Sequence, residues 1–535
     1  MIAKLVLKNF RRFENVVIEF QDGLNVIVGD NEAGKTTLLE AINLALTKRW
    51  NGKFFDSEFS HHFITASVVD QYVEGVKVGE APRPPEVLVE VYLKDAGDLS
   101  NLKGTNNSLL ENAPGYRLSA TLDPDFAEDY EAFLDEPDEV STVPTEFYKV
   151  EWTAFNGQPV NVRTLQVRSS LIDASRIRLS SGTDYHLQKI LSETLTPKQR
   201  AQLARKYRLN QEQFKTDEAI QKVNEAITAA SGTLSHKSLT LEIDTSGANG
   251  WESSLSPHLD KLPFHFSGSG EQNRLKILLA LSRTVSQSNV ILVEEPENHL
   301  SFPHLAGLIE QVDSQSEGRQ VFIATHSSFV VNKLGLGRLM LLSESGIGRI
   351  VDLPAGTQDY FKKLAGYDTL RLVLASKVVL VEGPSDDLIF QRAYLDRKQC
   401  LPLENGIDVI SVRGLSATRF LDLAIPLQRH SVVLADNDGD YVNKVDARYK
   451  LYAEHSFIAI VRSDDDSRPS LEQQLLGACG LDAVNSILEK QYVDEKKLLN
   501  YMLANKTDVA LKFFEYPGSI VWPAYLEEAI DALEQ

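Results

Sequence analysis

The spacing of apolar residues changes character along the chain, and with it the element expected. Residues 2–7 and 16–20 read as two strands of a small sheet, and 24–28 as a short buried strand running straight into a glycine-bounded loop. Residues 36–46 then place apolar side chains at helical intervals. Residues 86–93 alternate at period two after a proline-rich lead-in, a further strand. From 104 to 143 the pattern loosens, and 123–139 holds nine acids and no base, as a solvated loop or insertion does. Residues 196–230 are helical in pattern and carry Lys198, Arg200, Arg205, Lys206 and Arg208. Residues 171–178 precede this block, and a strand-like 239–243 and an irregular 251–266 follow it, so it reads as an insertion within a larger α/β domain. A helix over 271–286 leads to two all-apolar runs, 290–293 and 320–324, typical of parallel strands covered on both faces. After a mixed stretch, 346–370, β and α signals alternate again: strand 377–381, helix 386–395, strand 407–412, helix 417–428, and strands 431–435 and 457–461. The fold class is α/β without an internal repeat, and the boundary falls near Leu372, giving domains 1–371 and 372–535.

Composition narrows the class. A chain of 535 residues has room for about three or four domains. Its 55 basic and 75 acidic residues give a net charge of −20, which argues against a basic protein that coats nucleic acid. Cys400 and Cys479 are the only cysteines, too few for a disulfide framework or a cysteine-ligated zinc site, and they suit a reducing cytoplasm. No apolar run reaches about 18 residues, and the N-terminus lacks signal-peptide features, so no membrane partner is expected.

The loop after 24–28 reads Gly29-Asp30-Asn31-Glu32-Ala33-Gly34-Lys35-Thr36, a G-x-x-x-x-G-K-[ST] phosphate loop between strand and helix. Its glycines let backbone N–H groups turn inward around phosphates at a helix N-terminus. Lys35 would reach the β- and γ-phosphates of ATP and the Thr36 hydroxyl would ligate Mg²⁺, with Gly29, Asn31, Gly34 and Thr37 completing the cradle. The strand 290–293 ends in Glu294-Glu295-Pro296-Glu297, where such folds place a metal-side carboxylate and an acid that orients the attacking water. Glu294 stands where Asp is usual. Ser267-Gly268-Ser269-Gly270 precedes a helix, which alone signals a loop or an N-cap. His326 follows the run 320–324, and alone reads as a structural histidine.

Two later apolar strands also deliver acids at their carboxyl ends. One ends in Glu382, with Asp386 four residues on; the other in Asp436-Asn437-Asp438-Gly439-Asp440. Carboxylates that converge repel one another unless cations neutralise them, and an all-oxygen set suits Mg²⁺ or Mn²⁺. A pair of such ions could activate water for phosphodiester cleavage. A Ca²⁺ loop is the alternative for the Asp-rich segment, but the acid at its twelfth position is missing.

Taken in order, the first set resembles an ABC-type ATPase head, nearer the SMC and RecF branch than transporters; Asn31 and the helix from Thr37 carry that likeness. The resemblance implies that Ser267, Gly268 and Gly270 contact the γ-phosphate on a partner subunit. It makes Glu295 the hydrolytic base or water-positioner and His326 the γ-phosphate sensor, with 298–300 at a dimer seam. No Q-loop glutamine is identified. The second set resembles a Toprim domain, with Glu382, Asp436 and Asp438 on its motif, Gly414 after its second strand, and Glu472 in Ser470-Leu471-Glu472 at a further acid position.

The two modules in one chain resemble the overcoming-lysogenization-defect (OLD) family of ATP-linked nucleases, which includes the nuclease subunit of the Gabija anti-phage system. Gly366-Tyr367-Asp368 and Thr325-His326-Ser327 fit that family too. The resemblance implies an ATPase head with a helical dimerisation insertion at about 165–235, followed by a Toprim domain. It implies metal on Glu382, Asp386, Asp436, Asp438, Asp440 and Glu472, two ions in all, and a late catalytic lysine. Lys506 is that lysine, with Lys512 in reserve and an ordinary surface lysine as the alternative. Arg176 would touch phosphate or DNA, or form a structural ion pair. DNA, a second copy of the chain and a separately encoded helicase or reverse-transcriptase partner are the expected partners. The other function that fits is an ATP-driven DNA clamp or sensor that does not cut.

Charge sharpens this expectation. Residues 372–535 hold 17 basic and 26 acidic residues, a balance of −9, so acid density is highest where DNA would be cut. DNA contact there must be local and metal-bridged.

Overall fold

The computed structural model describes the chain except at residues 31, 81, 96, 136, 138–139, 162–164, 174–178, 181–182, 185–194, 232–257, 283–288, 344–345, 351–352, 364–367, 413–416 and 535. It divides into two compact units, Met1–Leu24 with Thr36–Ala324 and Asn25–Lys35 with Thr325–Gln535.

The first unit contains an antiparallel sheet. Ile2–Phe10 and Phe13–Glu19 form a hairpin, and Val87–Leu93, Ala113–Leu122 and Tyr148–Ala154 extend the sheet from the first strand. The strand Ala113–Leu122 lies in a stretch expected to be loose. Its loop-like glycine has a packing reason: a Cβ on Gly115 would sit 2.2 Å from the Phe155 ring and 2.5 Å from the Val91 carbonyl oxygen. The acidic stretch likewise contains a helix, Ala127–Leu134, with Tyr130 buried; Glu128 and Asp129 lie in its first turn, where the helix dipole favours them.

The basic helical block is two helices, Pro197–Lys215 and Glu218–Ser231, the first opened by a capping box between Thr196 and Gln199. Most of the surrounding 165–235 insertion, with Arg176, and the strand expected at 239–243 lie outside the described residues. Ser169–Asp173, Val290–Glu294 and Gln320–Ala324 pair in parallel, and the last two are buried at every position, as all-apolar runs require.

In the second unit Leu24–Gly29 pairs in parallel with Leu339–Ser343, which turns back on Gly346–Arg349. A second sheet is wholly parallel, in the order Ile407–Ser411, Lys377–Val381, His430–Leu434, Ile458–Val461. The helix Pro384–Lys398 and the C-terminal helices Leu471–Cys479, Leu481–Leu488, Glu495–Ala504, Lys506–Glu515 and Ala524–Ala532 bury one apolar core with it. The helix expected over 417–428 runs only Thr418–Ala424, because Pro426 cannot continue it. Among the described residues no helix is long and apolar enough to cross a membrane.

Candidate active site

The strand order of the second sheet fixes where its chemistry sits. From Lys377–Val381 the chain crosses to one side to make Ile407–Ser411, then returns to the other side to make His430–Leu434. The two central strands therefore flank a topological switch point, and a crevice opens beyond their carboxyl ends. Glu382 follows one of these strands directly, and Asp436 stands two residues beyond the other.

The Asp436 backbone amide favours the ionised form of the Glu382 carboxylate, an electrostatic link between the two strand ends. Asp386 lies in the first turn of Pro384–Lys398, where its Oδ2 accepts the Gly383 N–H at 3.0 Å. Glu472 comes from the first turn of Leu471–Cys479; it is buried, accepts the Ser470 hydroxyl at 2.9 Å, and lies 3.3 Å from Lys506 Nζ. Asn437 anchors the loop between Asp436 and Asp438: its amide donates to the carbonyls of Ser463 and Asp465 at 3.2 and 2.8 Å, and its Oδ1 accepts the Gly439 N–H at 3.0 Å. Asp438 takes up the left-handed conformation at φ 54°.

These acids feel one another. Burial, then Asp386, Glu382 and Glu472, push Asp436 up to about 8, against the pull of Lys506. Burial and the charges of Glu382 and Glu472 push Asp386 up to about 6. Glu382 is raised by desolvation and then by the charge of Asp438. The structure thus brings Glu382, Asp386, Asp436, Asp438, Glu472 and Lys506 into one electrostatic neighbourhood. Asp440 is placed differently: its carboxylate accepts the Asn443 N–H at 3.3 Å and side-chain amide at 2.9 Å, which holds it below the usual carboxylate range. Lys512 faces Glu489 at 3.1 Å, away from the cluster's partners.

Among the described residues no group of three or more His, Cys, Asp or Glu side chains is drawn close enough to hold an ion as it stands. The donor chemistry nonetheless fits a hard divalent cation: all ligands are carboxylate oxygens, and their mutual repulsion lacks enough local positive charge to offset it. Ser470, Asn437 and Tyr525 were not singled out as functional from the sequence. Tyr525, whose phenol is held well above its ordinary range by burial first and then by the charges of Asp436, Asp386, Glu472 and Glu382, carries no motif that would reveal it.

The residues expected to bind nucleotide are taken unit by unit. In the first, the Thr36 hydroxyl donates to the Glu294 carboxylate, joining the phosphate-loop threonine to the acid that ends Val290–Glu294. Glu295 is left-handed at φ 49°, and its N–H donates to the Ala324 carbonyl at 2.8 Å. Thr37 is buried in the helix Lys35–Thr47. A Cβ on Gly270 would lie 2.1 Å from the His299 carbonyl oxygen, whereas one on Gly268 would meet nothing; Ser267 accepts the Gln272 amide on its carbonyl at 2.8 Å. In the second unit, Lys35 Nζ donates to the Gly29 and Asp30 carbonyls, each at 2.9 Å, and Gly34 is left-handed at φ 98°. A Cβ on Gly29 would strike the Leu342 carbonyl oxygen at 2.5 Å. His326 is exposed between Thr325 and Ser327, whose N–H donates to the Thr325 hydroxyl at 3.0 Å. Asn31, Gly414 and 366–367 lie outside the described residues.

Comparison with known proteins assigns the same modules. Residues 4–234 match an AAA domain, and 170–332 match an AAA domain described as a putative AbiEii toxin of a type IV toxin–antitoxin system. Residues 373–438 match the overcoming lysogenization defect protein-like TOPRIM domain. Endonuclease GajA of Bacillus cereus (strain VD045) is 21% identical over 462 residues, 82% of this chain and 75% of GajA. The DNA double-strand break repair Rad50 ATPase of Methanopyrus kandleri is 53% identical over 49 residues, 9% of this chain and 6% of that protein. The SMC head domain from Thermotoga maritima aligns at a TM-score of 0.30 with 15% identity, covering 65% of this chain and 98% of that one. The chain thus carries an AAA-class ATPase region followed by a domain that matches the OLD-like Toprim model.

Proposed function

We propose that the protein is a divalent-metal-dependent DNA endonuclease whose cutting is governed by its ATPase region. The observation that carries this reading is the acid cluster at the switch point of the parallel sheet, with Lys506 against Glu472. Similarity to an endonuclease over 82% of the chain supports it. Glu382, Asp386, Asp436, Asp438 and Glu472 would hold Mg²⁺ or Mn²⁺, two ions in all. Bound there, such ions supply activation of water and charge stabilisation at the cleaved phosphodiester. Lys506 adds a fixed positive charge where the phosphate gains negative charge. Gly29, Asn31, Gly34, Lys35, Thr36, Thr37, Glu294 and His326 would bind ATP, with Ser267, Gly268 and Gly270 acting across a homo-oligomer of two or four copies. Glu295 would direct the hydrolytic water. We place the domain boundary at Leu372 and the dimerisation segment at about 165–235, with Asp440 at the rim of the metal site. Anti-phage defence in the cytoplasm, beside a helicase or reverse-transcriptase partner, is the role the family resemblance supports.

A second reading, an ATP-driven DNA clamp or sensor without cleavage, draws on the Rad50 match in the ATPase region. Incubation of the full chain with supercoiled plasmid and Mg²⁺ or Mn²⁺, with and without ATP, separates them. Nicked or linear product that disappears in Glu382→Ala supports the nuclease; intact plasmid under every nucleotide condition supports the clamp.

A further inference from the structure

Just after the Asp436 loop, the backbone forms an unusual turn. Val442–Asp446 is π-helical and Ala447–Tyr449 continues it as α-helix. Such wide turns are rare and frequently sit at functional sites. This one is held from several sides. Asp440 accepts the Asn443 N–H at its start. The Arg462 guanidinium grips the Asp446 carboxylate at 2.9 and 2.8 Å and stacks 4.0 Å over the Tyr441 ring. Val445 and Tyr449 are buried beneath it.

Lys444 and Arg448, four residues apart, stay exposed on this segment. Lys444 Nζ donates to the Asp438 carbonyl at 2.6 Å, so its charge is fixed at the acid loop. Arg448 forms no salt bridge with a carboxylate among the described residues, and its charge favours the ionised form of Glu382. Lys506 reaches the same cluster from the C-terminal helix Lys506–Glu515. The acids therefore have cations on two separate elements, in a domain whose own balance is −9 over residues 372–535. A polyanionic strand can enter such a domain only where cations are displayed beside the acids.

We propose that Lys444 and Arg448 bind the DNA phosphates flanking the scissile one and so position the strand across the acid cluster. They are positioning residues, while Lys506 acts at the reacting phosphate. This inference rests on the nuclease reading above.

The test uses the full chain and a short labelled DNA duplex, with binding measured in EDTA across a range of salt and cleavage measured separately with Mn²⁺. Lys444→Gln with Arg448→Gln is expected to raise Kd about tenfold and to flatten the slope of log K against log salt by about 2, since each lost phosphate contact removes about 1. KM for DNA rises with it, while kcat at saturating DNA stays within about threefold. Arg448→Lys, which keeps the charge, restores most of the binding. Unchanged binding and slope in a double variant with the parent's melting temperature overturns the inference, as does loss of kcat alone. A wild-type chain that binds duplex and never cuts defeats the nuclease reading instead, and the salt slopes still decide the role of these two residues. A wild-type chain that binds no duplex either in EDTA or with Mn²⁺ defeats both.

Discussion

Lys506 Nζ lies 3.3 Å from Glu472 Oε1, and the pair joins the first residue of the helix Lys506–Glu515 to a carboxylate that is only 3% exposed. Glu472 in turn holds the Ser470 hydroxyl at 2.9 Å, so the lysine rests on a fixed base while remaining half exposed toward the acid crevice. A preorganised cation of this kind is most effective where charge develops during reaction. Lys506→Ala is expected to lower kcat for DNA cleavage by about a hundredfold with little change in KM, measured at saturating duplex. A rise in KM with kcat intact would place Lys506 among the binding residues instead.

The crowding of acids makes a pH prediction. Asp386 and Asp436 are pushed up to about 6 and about 8, so each holds its proton more tightly in the folded than in the unfolded chain. Their contribution to stability is therefore full below about pH 4, where both states are protonated, and falls as pH rises toward about 8. Without metal, the melting temperature should drop across this window. Mn²⁺ should restore more of it at about pH 8 than at about pH 6, because a cation binds the deprotonated cluster. Asp436→Asn should flatten the profile. Equal pH dependence in the parent and in Asp436→Asn would contradict the placement of Asp436 among the acids.

In the ATPase region, Gly270 and Gly268 should respond differently to alanine. The new methyl at Gly270 meets a backbone carbonyl at 2.1 Å, while the one at Gly268 meets open space. Gly270→Ala is expected to cost about 1–3 kcal/mol, as overpacking does, and to depress ATP turnover. Gly268→Ala should keep the parental melting temperature. Calorimetry of both variants checks this, and equal stability would refute it.

Lys35 donates to the Gly29 and Asp30 carbonyls and is the one phosphate-loop side chain that brings a full positive charge. Lys35→Ala should weaken ATP binding by at least about tenfold, one lost charge-assisted contact. It should also remove whatever effect ATP has on DNA cleavage. Cleavage in Lys35→Ala that still responds to ATP as the parent does would separate the nuclease from this site.

Much of this site was legible because strands covered on both faces are written as unbroken apolar runs, and ligands gather at their carboxyl ends. Val378–Val381 and Val432–Leu434 pointed to Glu382 and Asp436 for that reason alone. Asp386 was legible as an acid four residues after Glu382, whereas Glu472 could be placed only by resemblance, since nothing local in the sequence shows that the first turns of two helices face the same crevice. Asp440 reads as one more acid of the loop, yet a short-range partner, Asn443, holds its carboxylate. The strand Ala113–Leu122 lies where the apolar pattern loosens, and Gly115 within it lets Phe155 pack against the sheet. The C-terminal helices after 470 carry short, weakly periodic apolar sets, and only their shared core with the parallel sheet gives those positions meaning.

The most direct test of the account is a metal titration of cleavage. The full chain, stripped with EDTA, is mixed with supercoiled plasmid while Mn²⁺ is added back, beside Asp436→Ala at equal concentration and with its fold verified by melting. The account predicts that cleavage by the parent is absent without metal, rises with Mn²⁺ to saturation, and is lost in Asp436→Ala at every concentration. Cleavage that persists in EDTA, or that Asp436→Ala retains at the parental rate, would contradict it.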